Sequence, residues 1–251
     1  TGLRHFLRAE INNLLLRATR RAADVVVYQS QFVRDWWERA HGPANGAALV
    51  IHNGVPLDVY APEGPRLSRG PGVRIVVVEA NLAGGYEIGL MWAADLARRM
   101  RQAIARPLEL AVAGRVGGKL RDELAAEPIT WLGLIPPEDI PALDRSADVL
   151  FASDLHPACP NAVIEALACG LPVVGFETGA LREVVGEEAG RVVAYGGDPW
   201  RLDPPDVAGL ARAATEVLQQ PSAFREAARR RAVEAFDVER MIDAYLEALE
   251  W

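Results

Sequence analysis

Ser153-Asp-Leu-His-Pro-Ala-Cys-Pro-Asn-Ala-Val-Ile-Glu-Ala-Leu-Ala-Cys-Gly-Leu-Pro-Val-Val174 is the stretch on which the fold turns. It begins where an apolar run, residues 148–152, ends. A loop bracketed by Pro157 and Pro160 follows. Pro160-Asn161 has the character of a helix start, because proline is tolerated where the first N–H groups have no helical acceptor. Apolar positions then recur at helical spacing as far as Cys169. Gly170 reads as the residue that ends the helix, and Pro172 leads into the next β-type run.

The same alternation extends outward in both directions. Short Val/Ile/Leu-rich runs at 74–79, 108–113, 129–132, 148–152, 172–176 and 190–194 predict strands. Helical patterns at 87–105, 119–126, 138–146, 161–169 and 181–185 separate them. Strands that are apolar almost throughout suit a parallel sheet covered on both faces. The pattern predicts an α/β, doubly wound parallel sheet of Rossmann-like type with a helical C-terminal tail, 206–251, of three helices. Upstream, residues 3–22 read as a helix and 25–28 as a strand. Ser30 then caps a helix containing Trp36 and Trp37, and Leu49-Val50-Ile51 runs into an Asn53-Gly54 turn. Adjacent tryptophans cannot share a helix face, so one is expected in the core and the other partly exposed. The Pro- and Gly-rich residues 62–72 form the clearest linker.

Composition bounds the function. The chain has 251 residues, half of them hydrophobic, and a net charge of −7, which argues against nonspecific nucleic-acid binding. No apolar run approaches the roughly 18 residues of a membrane span, and no secretory signal is visible. Of the 27 basic residues, Lys119 is the one lysine. Cys159 and Cys169 do not form a CxxC pair, and the four histidines lack metal-ligand spacing, so a reducing, cytoplasmic setting without a structural metal is expected. The chain opens on Thr1 rather than methionine, which reads as a piece of something longer. The Arg229-Arg230-Arg231 run reads as a solvated face, and Gly84-Gly85 as a tight turn.

In a doubly wound sheet, ligands lie beyond the carboxyl ends of the strands. The loops to watch therefore start at Ala80, Gly114, Gly133, Ser153 and Glu177. The N–H groups of Asn161, Ala162 and Val163 open a helix and would favour a phosphate. Glu165, about one turn on, is placed to accept two hydrogen bonds from a ribose diol.

Several stretches in this order resemble the retaining glycosyltransferases of family 4, the group 1 enzymes. These are the 153–174 segment, Phe176-Glu-Thr-Gly-Ala-Leu-Arg-Glu183, Trp131-Leu-Gly-Leu-Ile135, Val50-Ile-His-Asn-Gly-Val55 and the closing residues 236–249. The resemblance implies the GT-B arrangement of two Rossmann-like domains and transfer of a sugar from a UDP- or GDP-sugar to a sugar or glycolipid acceptor. It needs no cofactor, and no metal, in keeping with the absence of any Asp-x-Asp triplet. It divides the chain into the end of an N-terminal domain (1–61), a linker (62–72), a donor-binding domain (73–235) and a closing helix (236–251). It implies that Glu165 binds the ribose, that Asn161, Ala162, Val163, Thr178 and Gly179 touch the diphosphate or the sugar, and that Leu134 and Ile135 meet the base.

The sequence also departs from that family. A second glutamate is expected eight positions before Glu165, where Pro157 stands; Asp154 and His156 are the nearby candidates for a sugar contact. An arginine and a Lys-Gly pair expected after the first strand of the domain are missing, and Arg115 is the nearest replacement. The catalytic residue is unassigned. The rival reading is a non-catalytic module that binds a nucleotide-sugar or a partner carrying the other domain; a GT-B epimerase fits the 150–185 region less well. The first helix carries Arg4, Arg8, Arg17, Arg20 and Arg21 against Glu10. Docking to the rest of an N-terminal domain is the preferred role for it, with peripheral contact at the inner membrane face as the other.

Overall fold

The structure, a computed structural model, describes residues 3–82 and 87–250, the side chains of 3–5 and 9 excepted. Gly84-Gly85 lies outside the described residues. The chain opens with α1 (Leu3–Ala22), β1 (Val25–Tyr28), α2 (Gln31–His41) and β2 (Ala47–Val50). Ser30 caps α2 as its sequence position suggests: its backbone is extended and its hydroxyl accepts from the N–H of Val33. β1 and β2 pair in parallel as a two-stranded sheet.

After the linker come β3 (Val73–Leu82), α3 (Glu87–Ala103), β4 (Leu108–Val116), α4 (Gly118–Glu123), β5 (Ile129–Gly133), α5 (Ile140–Ser146) and β6 (Val149–Phe151). Then follow α6 (Asn161–Ala168), β7 (Val173–Phe176), α7 (Leu181–Val185) and β8 (Gly190–Val193), and three helices close the chain: α8 (Val207–Gln219), α9 (Pro221–Ala235) and α10 (Val238–Ala248). The six strands from β3 onward form one parallel sheet in the order β5-β4-β3-β6-β7-β8. The chain builds outward from β3 in one direction, then returns and builds outward from β6 in the other. The reversal between β3 and β6 is the switch point of a doubly wound fold.

Both faces of the sheet are covered, which explains why its strands are apolar without alternation. Ile75 and Val77 of β3 face a cluster containing Leu90 and Ala97 of α3 and Leu210 of α8. Val76, between them, faces the opposite cluster, with Ile164 and Leu167 of α6 and Ala228 of α9. The end of α6 follows the sequence closely. Gly170 takes φ +68°, its N–H reaches the carbonyl of Leu167, and the N–H of Leu171 reaches that of Ala166, which satisfies two carbonyls of the last turn.

The arginine run at 229–231 departs from the expected solvated face. Only Arg230 is exposed, beside Glu188. Arg229 donates to the carbonyls of Tyr60, Ala168 and Leu57 at 2.7, 2.8 and 3.0 Å, and Arg231 donates to those of Glu183 and Val184. These side chains satisfy backbone groups at element ends and in the residues just before the linker, a use of arginine that charge patterning alone does not reveal.

Candidate active site

A cavity of about 570 Å³ opens at the carboxyl ends of β3 and β4, beside the loops after β5 and β6. It lies at the switch point, where ligands of this architecture bind. Six of the residues singled out in the sequence line it together: Leu134, Ile135, Asp154, Asn161, Ala162 and Glu165. Leu134 and Ile135 come from the loop after β5. Asp154 follows β6, while Asn161, Ala162 and Glu165 belong to the first two turns of α6.

α6 starts at Asn161, with Pro160 in the cap position, and the Asn161 side-chain oxygen accepts from the Asn53 amide at 2.7 Å. The N–H of Val163 is also not free: it bonds the carbonyl of Pro160 at 3.1 Å, and the Val163 side chain is buried in the core. The helix end therefore presents the backbone of Asn161 and Ala162 to the cavity. A short 3₁₀-type first bond has taken the third amide.

Glu165 lines the cavity half-buried. Burial raises its pKa, while a hydrogen bond from the Tyr60 hydroxyl opposes that rise. Tyr60 itself is pushed up to about 12, first by burial and then by the neighbouring Glu165. Behind this pair lies Asp144, fully buried with neither carboxylate oxygen hydrogen-bonded, its pKa raised well above the usual range by burial and by Glu165.

The remaining expected residues lie elsewhere. Arg115 is exposed within β4, which runs further than the sequence pattern predicted, and does not line the cavity. Thr178 is buried, with its hydroxyl directed to the carbonyl of Phe176 at 3.5 Å. Gly179 takes φ +55° and packs on Pro157, whose backbone N and O lie 2.5 Å from where a Cβ would stand. Pro157 is buried in that contact and accepts from the N–H of Ala180 at 2.7 Å, so position 157 does not reach the cavity. His156 stacks on Trp200 at 3.8 Å with rings 14° apart, and burial lowers its pKa.

Two residues of the site escape sequence reasoning. Tyr60 precedes the linker and meets Glu165 only through the fold. Glu79 follows the buried run 73–77 of β3 and Val78, lines the cavity, and is pushed up to about 7 by burial and by Asp154, against a hydrogen bond from Ser153. A carboxylate directly after Ile75-Val76-Val77-Val78 was the one available signal. Among the described residues that line the cavity, the charged side chains are Glu79, Asp154 and Glu165, and none is Arg, Lys or His. Elsewhere among the described residues, no group of three or more His, Cys, Asp or Glu side chains is placed to hold a metal. No helix of the described residues is long and apolar enough to cross a membrane.

A family model described as glycosyl transferases group 1 matches residues 73–220, from the first strand of the six-stranded sheet through α8. The chain belongs to the group 1 glycosyltransferases. The similar curated proteins are glycosyltransferases too. A 2-deoxystreptamine glucosyltransferase of Streptomyces kanamyceticus is 29% identical over 154 residues, 55% of this chain and 38% of that protein. A D-inositol 3-phosphate glycosyltransferase of Salinispora arenicola is 32% identical over 121 residues, 44% of this chain and 27% of that protein. The chain thus spans well under half the length of the curated relatives it matches. Solved structures agree on the fold. Sucrose-phosphate synthase of Thermosynechococcus elongatus superposes with a TM-score of 0.73 at 20% identity, covering 96% of this chain and 61% of that one. The Anabaena protein HepE, in complex with UDP-glucose, gives 0.71 at 18% identity, covering 91% and 64%.

Proposed function

We propose that this chain is the donor-binding half of a glycosyltransferase that moves a sugar from a nucleotide-sugar to an acceptor with retention and without a metal. One observation carries the reading: the open end of α6 and Glu165 line the same cavity at the switch point of the sheet. Free N–H groups at a helix start attract phosphate oxygens. An ionised carboxylate one turn on takes both hydroxyls of a ribose. Leu134, more than half exposed at the cavity rim, and Ile135 offer an apolar edge for the base. Asp154 is within reach of the sugar. We assign residues 1–61 to the end of a second Rossmann-like unit, which would carry the acceptor site and cover the apolar face of α1. This site would be at work in the cytoplasm, with a sugar or glycolipid acceptor.

A second reading, a nucleotide-sugar-binding module without turnover, is favoured by the lack of a cation among the described residues lining the cavity and by Pro157 being walled off behind Gly179. Calorimetric titration with UDP-glucose and GDP-mannose tests the first step common to both. Binding of one donor, weakened ten- to hundredfold in Glu165→Ala, is expected, because hydrogen bonds to a charged group contribute about 1.5–3 kcal/mol. A folded chain that binds neither overturns the donor-site reading. Sugar transfer by a longer protein containing this chain separates the enzyme from the module.

A further inference from the structure

Resting on the donor-site reading above, we propose that Glu79, in its protonated form, is the hydrogen-bond donor that holds a phosphate oxygen of the nucleotide-sugar at the end of β3. Its position is built, not incidental. The pairing of β3 with β4 shifts register between Val78 and Asn81, so Glu79 falls in a bulge. Bulges re-aim side chains at the ends of strands. The β4 backbone clamps the bulge: Gly114 takes φ +145°, and a Cβ there would lie 1.9 Å from the Glu79 carbonyl oxygen. Glu79 lines the cavity together with the start of α6, and Ser153, two residues past the end of the neighbouring β6, lies beside its carboxyl.

The charge around it then decides the chemistry. Glu79 shares the cavity lining with Asp154 after β6, Glu165 and Cys159 around the start of α6, and Tyr60 before the linker, and of these Asp154 is the charge that acts on it. β4 offers it the backbone of Ala113 and Gly114, the loop after β5 offers Leu134 and Ile135, and α3 begins at Glu87. A diphosphate diester carries two negative charges. Placed among ionised carboxylates it is repelled, whereas a neutral carboxyl presents an O–H to it. Glu79 is the carboxyl already pushed to about 7 before any ligand arrives. An anion beside it raises that value further, so above the free midpoint binding takes up as much as one proton from solvent, and well below it none. No bond of the sugar is made or broken in this step.

The test is calorimetric titration of the chain with UDP-glucose and GDP-mannose between pH 5.5 and 8.5, a range in which the diphosphate diester keeps its charge. For the unaltered chain, affinity should fall by roughly tenfold per pH unit above the midpoint, with the enthalpy varying by buffer in the manner of uptake of one proton. Glu79→Gln supplies an uncharged N–H donor at every pH. It should bind with a flat profile, within a few-fold of the unaltered chain at pH 6 and more tightly than it at pH 8.5. Asp154→Asn should shift the midpoint down, by removing the adjacent charge. Donor binding that is flat with pH in the unaltered chain overturns the proposal and leaves the donor site standing. So does a Glu79→Gln variant that keeps the pH slope, or one that is folded by its melting curve but does not bind. Absence of binding by both proteins at every pH overturns the donor site itself.

Discussion

Gly179 shows how much a single position can hold. It combines a left-handed backbone with a Cβ direction blocked by the backbone N and O of Pro157. Gly179→Ala should cost about 2–4 kcal/mol, the left-handed strain plus the overlap, read from the urea midpoint. Gly133→Ala is the internal comparison. Its φ is +69° but nothing lies within 4 Å of its Cβ direction, so about 1–2 kcal/mol is expected. Glu79 makes a second prediction at this scale. Its folded pKa, about 7, lies above the ordinary 4.5. The folded state therefore holds its proton more tightly than the unfolded one. That stabilisation is complete below about pH 4.5 and is lost as pH rises through about 7. Glu79→Gln should flatten this part of the stability profile and gain up to about 3 kcal/mol relative to the native chain at pH 8, measured by denaturant titration at each pH. The glycine turn at 179 and the place of Glu165 near the start of a helix were legible because they belong to local patterns. The reason that Pro157 is excluded from the cavity was not, since it depends on a contact across 22 positions.

At the scale of elements, the join between the first two strands and the main sheet is made by side chains that local pattern does not predict. Both carboxylate oxygens of Glu183, on α7, accept from the first turn of α2: from the N–H of Gln31 at 2.7 Å and of Phe32 at 3.1 Å. The same carboxylate meets His52 Nε2 at 2.8 Å, next to the Asn53-Gly54 turn. Two free amides at a helix start and a carboxylate opposite them form a charge-assisted cap, supplied from another part of the chain. Ser30 was readable as the cap of α2 because capping by the preceding residue is local. Glu183 lies about 150 residues away, and its sequence context resembled a site motif. Glu183→Ala should lower stability by about 1.5–3 kcal/mol and speed amide exchange at Gln31 and Phe32 ahead of the β3–β8 sheet. Equal exchange across both regions would show that α2 does not depend on this cap. The alternation of strand and helix was legible throughout, because parallel strands buried on both faces announce themselves as short apolar runs. The bulge at Glu79 was not, since nothing in the order of residues distinguishes a paired strand end from a register shift.

The molecule as a whole carries an imbalance between its two ends. The six-stranded sheet buries both its faces, while among the described residues β1 and β2 give none to either core cluster, and α2 has no fully buried residue. α1 exposes Phe6, Leu7, Ile11, Leu14, Leu15 and Leu16, each half or more accessible. Arg20 ties the end of this helix down through Tyr28 and the carbonyl of Gly42, so the helix is anchored at one end while its apolar residues face outward. Beside it, a second cavity of about 540 Å³ runs along β1 and reaches Trp37 and Tyr245. A two-stranded sheet is marginal alone, and contiguous apolar surface of this kind drives association when nothing covers it. The chain prepared by itself should therefore self-associate through α1. Sedimentation velocity over a dilution series should show a weight-average coefficient that rises with concentration. Leu7→Glu combined with Leu14→Glu should bring it down to that of a single chain without altering donor binding at the distant cavity. A coefficient independent of concentration in the unaltered chain would show that α1 drives no association. A double variant that abolishes donor binding would instead couple the helix to the β3/β6 site. Charge repulsion at two positions on the outward face changes association through solvation alone, since the anchor at Arg20 and the join at Glu183 are left intact.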